Sequence, residues 1–298
     1  MLLSVVDLHS ITVPHPKGQQ LSENIMEMFA CLVACGIDPV KTTLFQQSAV
    51  AAHTELCWLL GCLATLPRLQ HLPQWKEKSQ DSSEVSVGLF TYPVLQSADI
   101  LLYQATHVPV GDDQVKHIEL TRHLARLFNK QYGQLFPEPK AIVSHFPRIR
   151  SLRSPANKMS KSDKAKAGTI SLLDTADDIC RKVGKAVTDS RTEVTYDTDS
   201  RPGVSNLLEI HAALSGVSVQ ESAAQFTGGK ATVLLKDSVS SLLVEKLSPI
   251  RTEYVRLRED PVHLNSLLRQ GNETAQWLAQ PVITQAKQLI GILPVKDS

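Results

Sequence analysis

The sequence predicts an α/β protein, a doubly wound parallel sheet over residues 1–168 followed by an all-α domain over 169–298. Three observations carry this expectation. Leu2, Leu3, Val5 and Val6 form a nearly continuous apolar run, the pattern of a strand buried on both faces of a parallel sheet. Short runs of this kind alternate with stretches of helical period up to about residue 170. Beyond that point strand-like runs become scarce, and Leu-rich helical stretches dominate at 205–215, 237–257 and 273–293. A chain of 298 residues exceeds what one core usually supports, so two domains are expected.

The elements follow in order. Asp7-Leu8-His9-Ser10 carries polar groups past the C-terminal end of the first strand. Ser22 is suited to cap a helix whose Ile25, Met26, Phe29 and Leu32 recur at helical spacing, with Gly36 and Pro39 to stop it. A second strand over 42–46 precedes a helix that Ser48 opens, running through Leu56, Leu59 and Leu60 to about Leu66. Residues 76–86 are polar with no apolar period and read as a surface loop between the two halves of the sheet. A helix beginning near Pro93, which a first turn accepts, runs through Tyr103. A strand over 106–110 then leads to Gly111-Asp112-Asp113-Gln114, which opens an amphipathic helix carrying Ile118, Leu124, Leu127 and Phe128. This alternation is the Rossmann-like pattern.

Charge is nearly balanced, with 31 Lys and Arg against 30 Asp and Glu, so no global field marks a nucleic-acid protein and any such contact must come from local patches. The five cysteines, at 31, 35, 57, 62 and 180, contain no Cys-x-x-Cys pair. Buried thiols are expected, and no metal site. The apolar start is too short for a signal-peptide core or a membrane span, so a soluble protein is expected. No Arg- and Ser-rich transit peptide is present to name an organelle.

Three constellations carry chemistry. Lys158-Met159-Ser160-Lys161-Ser162 sets two cations three apart among hydroxyls, after Asn157. Ammonium groups neutralise charge that develops on phosphates as an α-phosphorus is attacked, and hydroxyl and N–H groups hold the oxygens. Composition alone fits a solvated basic loop as well. Tyr92, Gln96, Asp99 and Tyr103, spaced four, three and four, share one helix face. Asp99 lies among apolar residues, so its carboxylate needs a donor. An indole N–H serves, a phenol serves equally, and a structural Arg or water is the plainer partner. Gly111-Asp112-Asp113-Gln114, with His117 and Glu119 beyond it, stands at the C-terminal end of a strand, where an open parallel sheet binds ligands. An ordinary N-cap turn accounts for it in isolation.

The pentapeptide in this order matches the KMSKS signature of class I aminoacyl-tRNA synthetases. Val6-Asp7-Leu8-His9-Ser10-Ile11-Thr12-Val13, the segment from Thr91 through Tyr103, Val108-Pro109-Val110-Gly111-Asp112-Asp113-Gln114, Ala186-Val187-Thr188-Asp189 and Gly203-Val204-Ser205-Asn206-Leu207 extend the match. Together they resemble tryptophanyl-tRNA synthetase of the bacterial and mitochondrial branch along nearly the whole chain. The tyrosyl enzyme has a similar pocket helix, but Asp7-x-His9 and Gly111-x-Asp113-Gln114-x-x-His117 resemble the tryptophan enzyme.

The resemblance implies that Asp99 binds the indole nitrogen, with Tyr92 and Gln114 near the ammonium group and with Val108, Val110 and His9 shaping the pocket. It implies ATP contacts at Gly111, Asp112, Asp113 and Ile149. It further implies that Lys158, Met159, Ser160, Lys161 and Ser162 close over the triphosphate, with Lys158 and Lys161 catalytic. ATP with Mg²⁺, tRNA(Trp), a homodimer, a helical anticodon-binding domain and a location in the mitochondrial matrix, or otherwise the cytoplasm, are implied likewise.

Two departures stand out. The His-x-Gly-His or His-x-Gly-Asn tetrapeptide of class I enzymes does not occur, and Lys164 stands where a proline commonly follows. The chain starts at what resembles the family's second strand. The expectation drawn from this is an enzyme lacking its first strand and inactive as written. The reading from a different class is a non-catalytic RNA-binding or dimer-modulating protein using residues 148–166, with seven Lys or Arg against one acid.

Overall fold

In the computed structural model, the structure describes residues 1–13, 18–73, 75, 86–143, 149–160 and 166–293. Lys161, Ser162 and Lys164, and all but Ser86 of the loop expected at 76–86, lie outside the described residues. Two compact units form, Met1–Ser144 with Asp260–Ser298, and His145–Glu259. The boundaries therefore differ from the 168/169 division, because the last helix packs into the first unit's core through Ala275, Ala279, Val282, Ile283 and Ala286.

In the first unit, β1 (Leu2–Val5) pairs in parallel with β2 (Thr43–Gln46), from Leu2 opposite Thr43 to Val5 opposite Gln46. The crossover carries the short α1 (Asp7–Ser10) and then α2 (Gly18–Ala34). β3 (His107–Val110) pairs in parallel with β4 (Lys140–Val143). This is the Rossmann-like α/β arrangement, with its described sheet in two parallel pairs. β4 was not anticipated, since Lys140-Ala141-Ile142-Val143 is brief and only half buried.

Several helix starts differ from expectation. α2 begins at Gly18, so Ser22 is an exposed residue within the helix rather than its cap. Gly36 ends the exit from α2 at φ 95°, with the Ile37 N–H reaching the Leu32 carbonyl at 3.2 Å. Ser48 does not open a helix. It stands in a single turn, Gln47–Ala49, ahead of α3 (Ala52–Gly61), and its hydroxyl bonds Asp7 instead. A short α4 (Leu66–Gln70) follows. α5 (Val87–Leu101) is capped by Ser86, whose Oγ accepts from the Leu89 N–H at 3.1 Å, so Pro93 lies inside the helix and not in its first turn.

α6 (Val115–Tyr132) buries Ile118, Leu124 and Phe128 at helical spacing, with Leu127 at the margin. α3, α5, α6 and the last helix share one core that includes Phe45, Leu56, Leu60, Leu101 and Phe136. Each such side chain contributes roughly 2 kcal/mol by leaving water. The cysteines are less buried than expected: Cys35, Cys62 and Cys180 are exposed, Cys31 and Cys57 half-buried, and none of the five is in a disulfide.

The second unit is helical: α7 (Ala176–Gly184), α8 (Pro202–Ser215), α9 (Val219–Ala224) and α10 (Ala231–Glu259) enclose Ile179, Val204, Leu207, Leu208, Leu235 and Val239. α11 (Pro261–Ile290) returns the chain to the first unit. Among the described residues no helix is long and apolar enough to cross a membrane.

Candidate active site

The C-terminal ends of β1 and β2 put polar groups side by side, as a parallel sheet does at its ligand-binding edge. Asp7, nearly fully buried, accepts from the Ser48 N–H at 3.0 Å, from Gln46 Nε2 at 2.7 Å and from the Ser48 hydroxyl. Gln47, fully buried, accepts from the Leu8 N–H at 3.1 Å through Oε1. That bond fixes its amide and turns Nε2 towards α5.

There Asp99 receives three donors. Gln47 Nε2 lies 2.8 and 3.0 Å from its two oxygens, His53 Nδ1 2.6 Å from Oδ1, and His9 Nε2 2.8 Å from Oδ2. Burial pushes the Asp99 carboxyl up, but the hydrogen bonds and charge of His53 and His9 together outweigh it and hold the pKa below its ordinary value. An ionised carboxylate only accepts, so His53 Nδ1 carries a proton, and Nε2 on the far side of the ring is hydrogen-bonded to the Tyr103 hydroxyl at 2.9 Å. Phe45 stacks on the His53 ring at 5.8 Å between centroids. Burial, and then the Asp99 charge, push the Tyr103 phenol up and the Cys57 thiol to about 11.

The rest of the α5 face joins a second set of groups. Tyr92 stands edge-on to His9 at 6.1 Å and to His117 at 5.4 Å. His117 Nδ1 is 2.8 Å from Gln96 Oε1 and 2.9 Å from Gln114 Oε1, and Gln114 Nε2 donates to Asp113 at 2.8 Å. Tyr92, Gln96 and Asp99 thus face polar partners along one side of α5, which ends at Leu101 rather than running through Tyr103, and Tyr103 joins them from the turn that follows. Val108 and Val110 are the half-buried residues of β3, while Gly111, Asp112 and Asp113 are exposed in the turn that follows. A cleft of about 370 Å³ opens beside Tyr92, with Leu8, Ile11, Thr12, Cys57 and Leu95 among its walls; Asp99 is not on it.

In the second unit Ile149 and Lys158 belong to a tight antiparallel hairpin, in which the Met159 N–H reaches the Ile149 carbonyl at 3.0 Å. Buried Asn206 of α8 grips Arg150 twice, accepting from its N–H at 2.8 Å and donating to its carbonyl at 2.9 Å. Thr169 donates to the Ser160 carbonyl at 3.0 Å. Lys158 therefore stands exposed on a hairpin fastened from both sides, with Met159 and Ile149 turned into the core beneath. Gly203 is required beside Asn206, because a Cβ there would overlap the Val187 carbonyl oxygen. Arg201, almost fully buried, clamps Asp189 through Nε at 2.7 Å and Nη2 at 2.8 Å and holds the carboxyl down at about 2.

Gln47 and His53 were missed in the sequence. The signal was available, since Gln46-Gln47 follows an apolar strand at the end where ligands bind. His53 gave none of its own, because nothing in one sequence pairs a helix histidine with an aspartate 46 positions later.

The family model for class I tRNA synthetases (W and Y) matches residues 1–244. The chain belongs to that family. This class I synthetase is similar to the tryptophan–tRNA ligase of Caldanaerobacter subterraneus subspecies tengcongensis, 44% identical over 291 residues that cover 97% of this chain and 88% of that protein. It is also similar to the mitochondrial tryptophan–tRNA ligase of Dictyostelium discoideum, 40% identical, covering 98% and 78%. Among solved structures, tryptophanyl-tRNA synthetase from Campylobacter jejuni complexed with ADP and tryptophan aligns with a TM-score of 0.82 at 29% identity, covering 97% of this synthetase and 88% of that chain.

Proposed function

We infer that this class I synthetase is a tryptophan–tRNA ligase that joins tryptophan to the α-phosphate of ATP, releases pyrophosphate and transfers the aminoacyl group to tRNA(Trp). One observation carries the reading: Asp99, a sheltered ionised carboxylate, stands on α5 where both His9 and, through Gln96, His117 attach. Those two histidines belong to the segments that separate the tryptophan enzyme from the tyrosine enzyme in sequence.

In this reading Asp99 accepts the indole N–H, Tyr92 and Gln114 meet the ammonium group, and His9, Val108 and Val110 bound the ring. Gly111, Asp112, Asp113 and Ile149 contact ATP, which arrives with Mg²⁺ as a substrate. The tryptophan carboxylate attacks the α-phosphorus, the bond to the bridging oxygen of pyrophosphate breaks, and Lys158 and Lys161, with Met159, Ser160 and Ser162 around them, offset the charge that develops. The helical second unit takes the anticodon, two copies form the working dimer, and the compartment is the mitochondrial matrix, a reading supported by the Dictyostelium relative's being a mitochondrial enzyme. ATP–pyrophosphate exchange tests the reading. Exchange that depends on tryptophan and not on tyrosine is expected of the chain joined to the family's first strand and His-x-Gly-His/Asn turn. Exchange driven by tyrosine would overturn the choice of amino acid, and exchange with neither would return the non-catalytic RNA-binding reading.

A further inference from the structure

Asp99 offers four lone-pair positions, and the three protein donors fill them all. An incoming ring N–H can reach the carboxylate only by replacing one donor. The three are held very differently. His53 is fully buried, stacked on Phe45 and tied to Tyr103 by its second nitrogen. Gln47 is fully buried and tied to the Leu8 N–H by its own carbonyl. His9 stands on a four-residue helix, 19% exposed, with Asp99 as the hydrogen-bond partner of its Nε2.

We propose that Gln47 and His53 are positioning residues that fix the Asp99 carboxylate in plane and charge, while His9 is the resident donor that the substrate's ring N–H displaces from Oδ2. The inference rests on the tryptophan reading of this pocket and adds what makes the pocket selective for a ring that carries a donor. With Gln47 and His53 in place, a ligand without that donor evicts His9 and returns nothing to Oδ2, which is left desolvated and short of a partner. If the carboxylate is loosened, it turns towards water, and the distinction between the two ligands fades.

The test is calorimetric binding of tryptophan and of its benzothiophene analogue, in which sulfur replaces the ring N–H, to the full chain. The unsubstituted chain should prefer tryptophan. In His53→Leu and Gln47→Met the preference should fall by roughly ten- to a hundredfold, mainly through weaker tryptophan binding. His53→Asn, whose amide nitrogen stands where Nδ1 stood, should recover most of it. A residue that only fills the core would weaken both ligands alike and leave the ratio unchanged. An unchanged ratio in variants that still melt cooperatively would overturn the positioning role. Equal affinity of the unsubstituted chain for the two ligands would overturn the pocket reading itself, and the inference with it.

Discussion

Asp99 illustrates how one charge organises its surroundings. Left bare, an ionised carboxylate among Val94, Ala98 and Leu102 would be too costly to keep, so the fold spends two histidines and a glutamine on it. Replacing Asp99 with Ala should cost roughly 2–4 kcal/mol of tryptophan transition-state binding, the scale of a hydrogen-bonded specificity contact, and leave ATP affinity nearly unchanged. Exchange kinetics of the chain joined to the family's N-terminal segment, varied in each substrate, separate the two, and wild-type tryptophan activation by the variant would refute the pocket. Lys158→Ala should behave in the opposite way, slowing adenylate formation at saturating substrates with little change in tryptophan affinity, because an exposed ammonium acts on phosphates that gain charge only in the transition state. Weakened tryptophan binding with an unaltered saturated rate would count against it.

At the scale of elements, the second unit is fastened by the turn between α7 and α8. Arg201 holds Asp189 at about 2 against its usual 3.8, so the contribution is complete above pH 3.8 and disappears as the pH falls from there towards 2. Solvent reaches Asp189, which reduces the effect to about 1 kcal/mol. Melting curves of the chain and of Asp189→Asn should therefore converge as the pH drops through that window; a constant gap would mean the clamp adds nothing. The repeating parts of the fold were legible: β1, β2, β3 and the amphipathic α6 all follow from apolar period. The helix starts were less so. Ser22 and Ser48 carry the right side chain for a cap, yet one lies within a helix and the other is drawn off by Asp7, a residue 41 positions away. Local propensity cannot register a partner that only the fold supplies. The same limit hid Gln47 and His53, whereas Asp99 betrayed itself as a charge in an apolar run. β4 escaped because four residues, of which only Ala141 and Val143 are half-buried, are too few to show a period.

At the scale of the molecule, the first unit is built from the two ends of the chain. α11 crosses β2 so closely that a Cβ on Gly271 would overlap the Leu44 carbonyl oxygen, and the neighbouring Asn272 accepts from the Gln46 N–H at 2.9 Å. Gly271→Ala should force helix and strand apart and cost about 3 kcal/mol, with tryptophan affinity falling as well, because Gln46 and Gln47 lead directly to Asp7 and Asp99. A melt and a binding isotherm on one sample check both. Loss of stability with unchanged affinity would show that the crossing supports the fold without reaching the pocket. The crossing also sets a timetable. A ribosome releases the end of β2 226 residues ahead of Asn272, a wait of roughly ten seconds to most of a minute at about 5–20 residues per second. Throughout that wait the nascent strand presents a bare N–H and an apolar flank to the cytosol or organelle around it. The pocket can be finished only once α11 has left the ribosome.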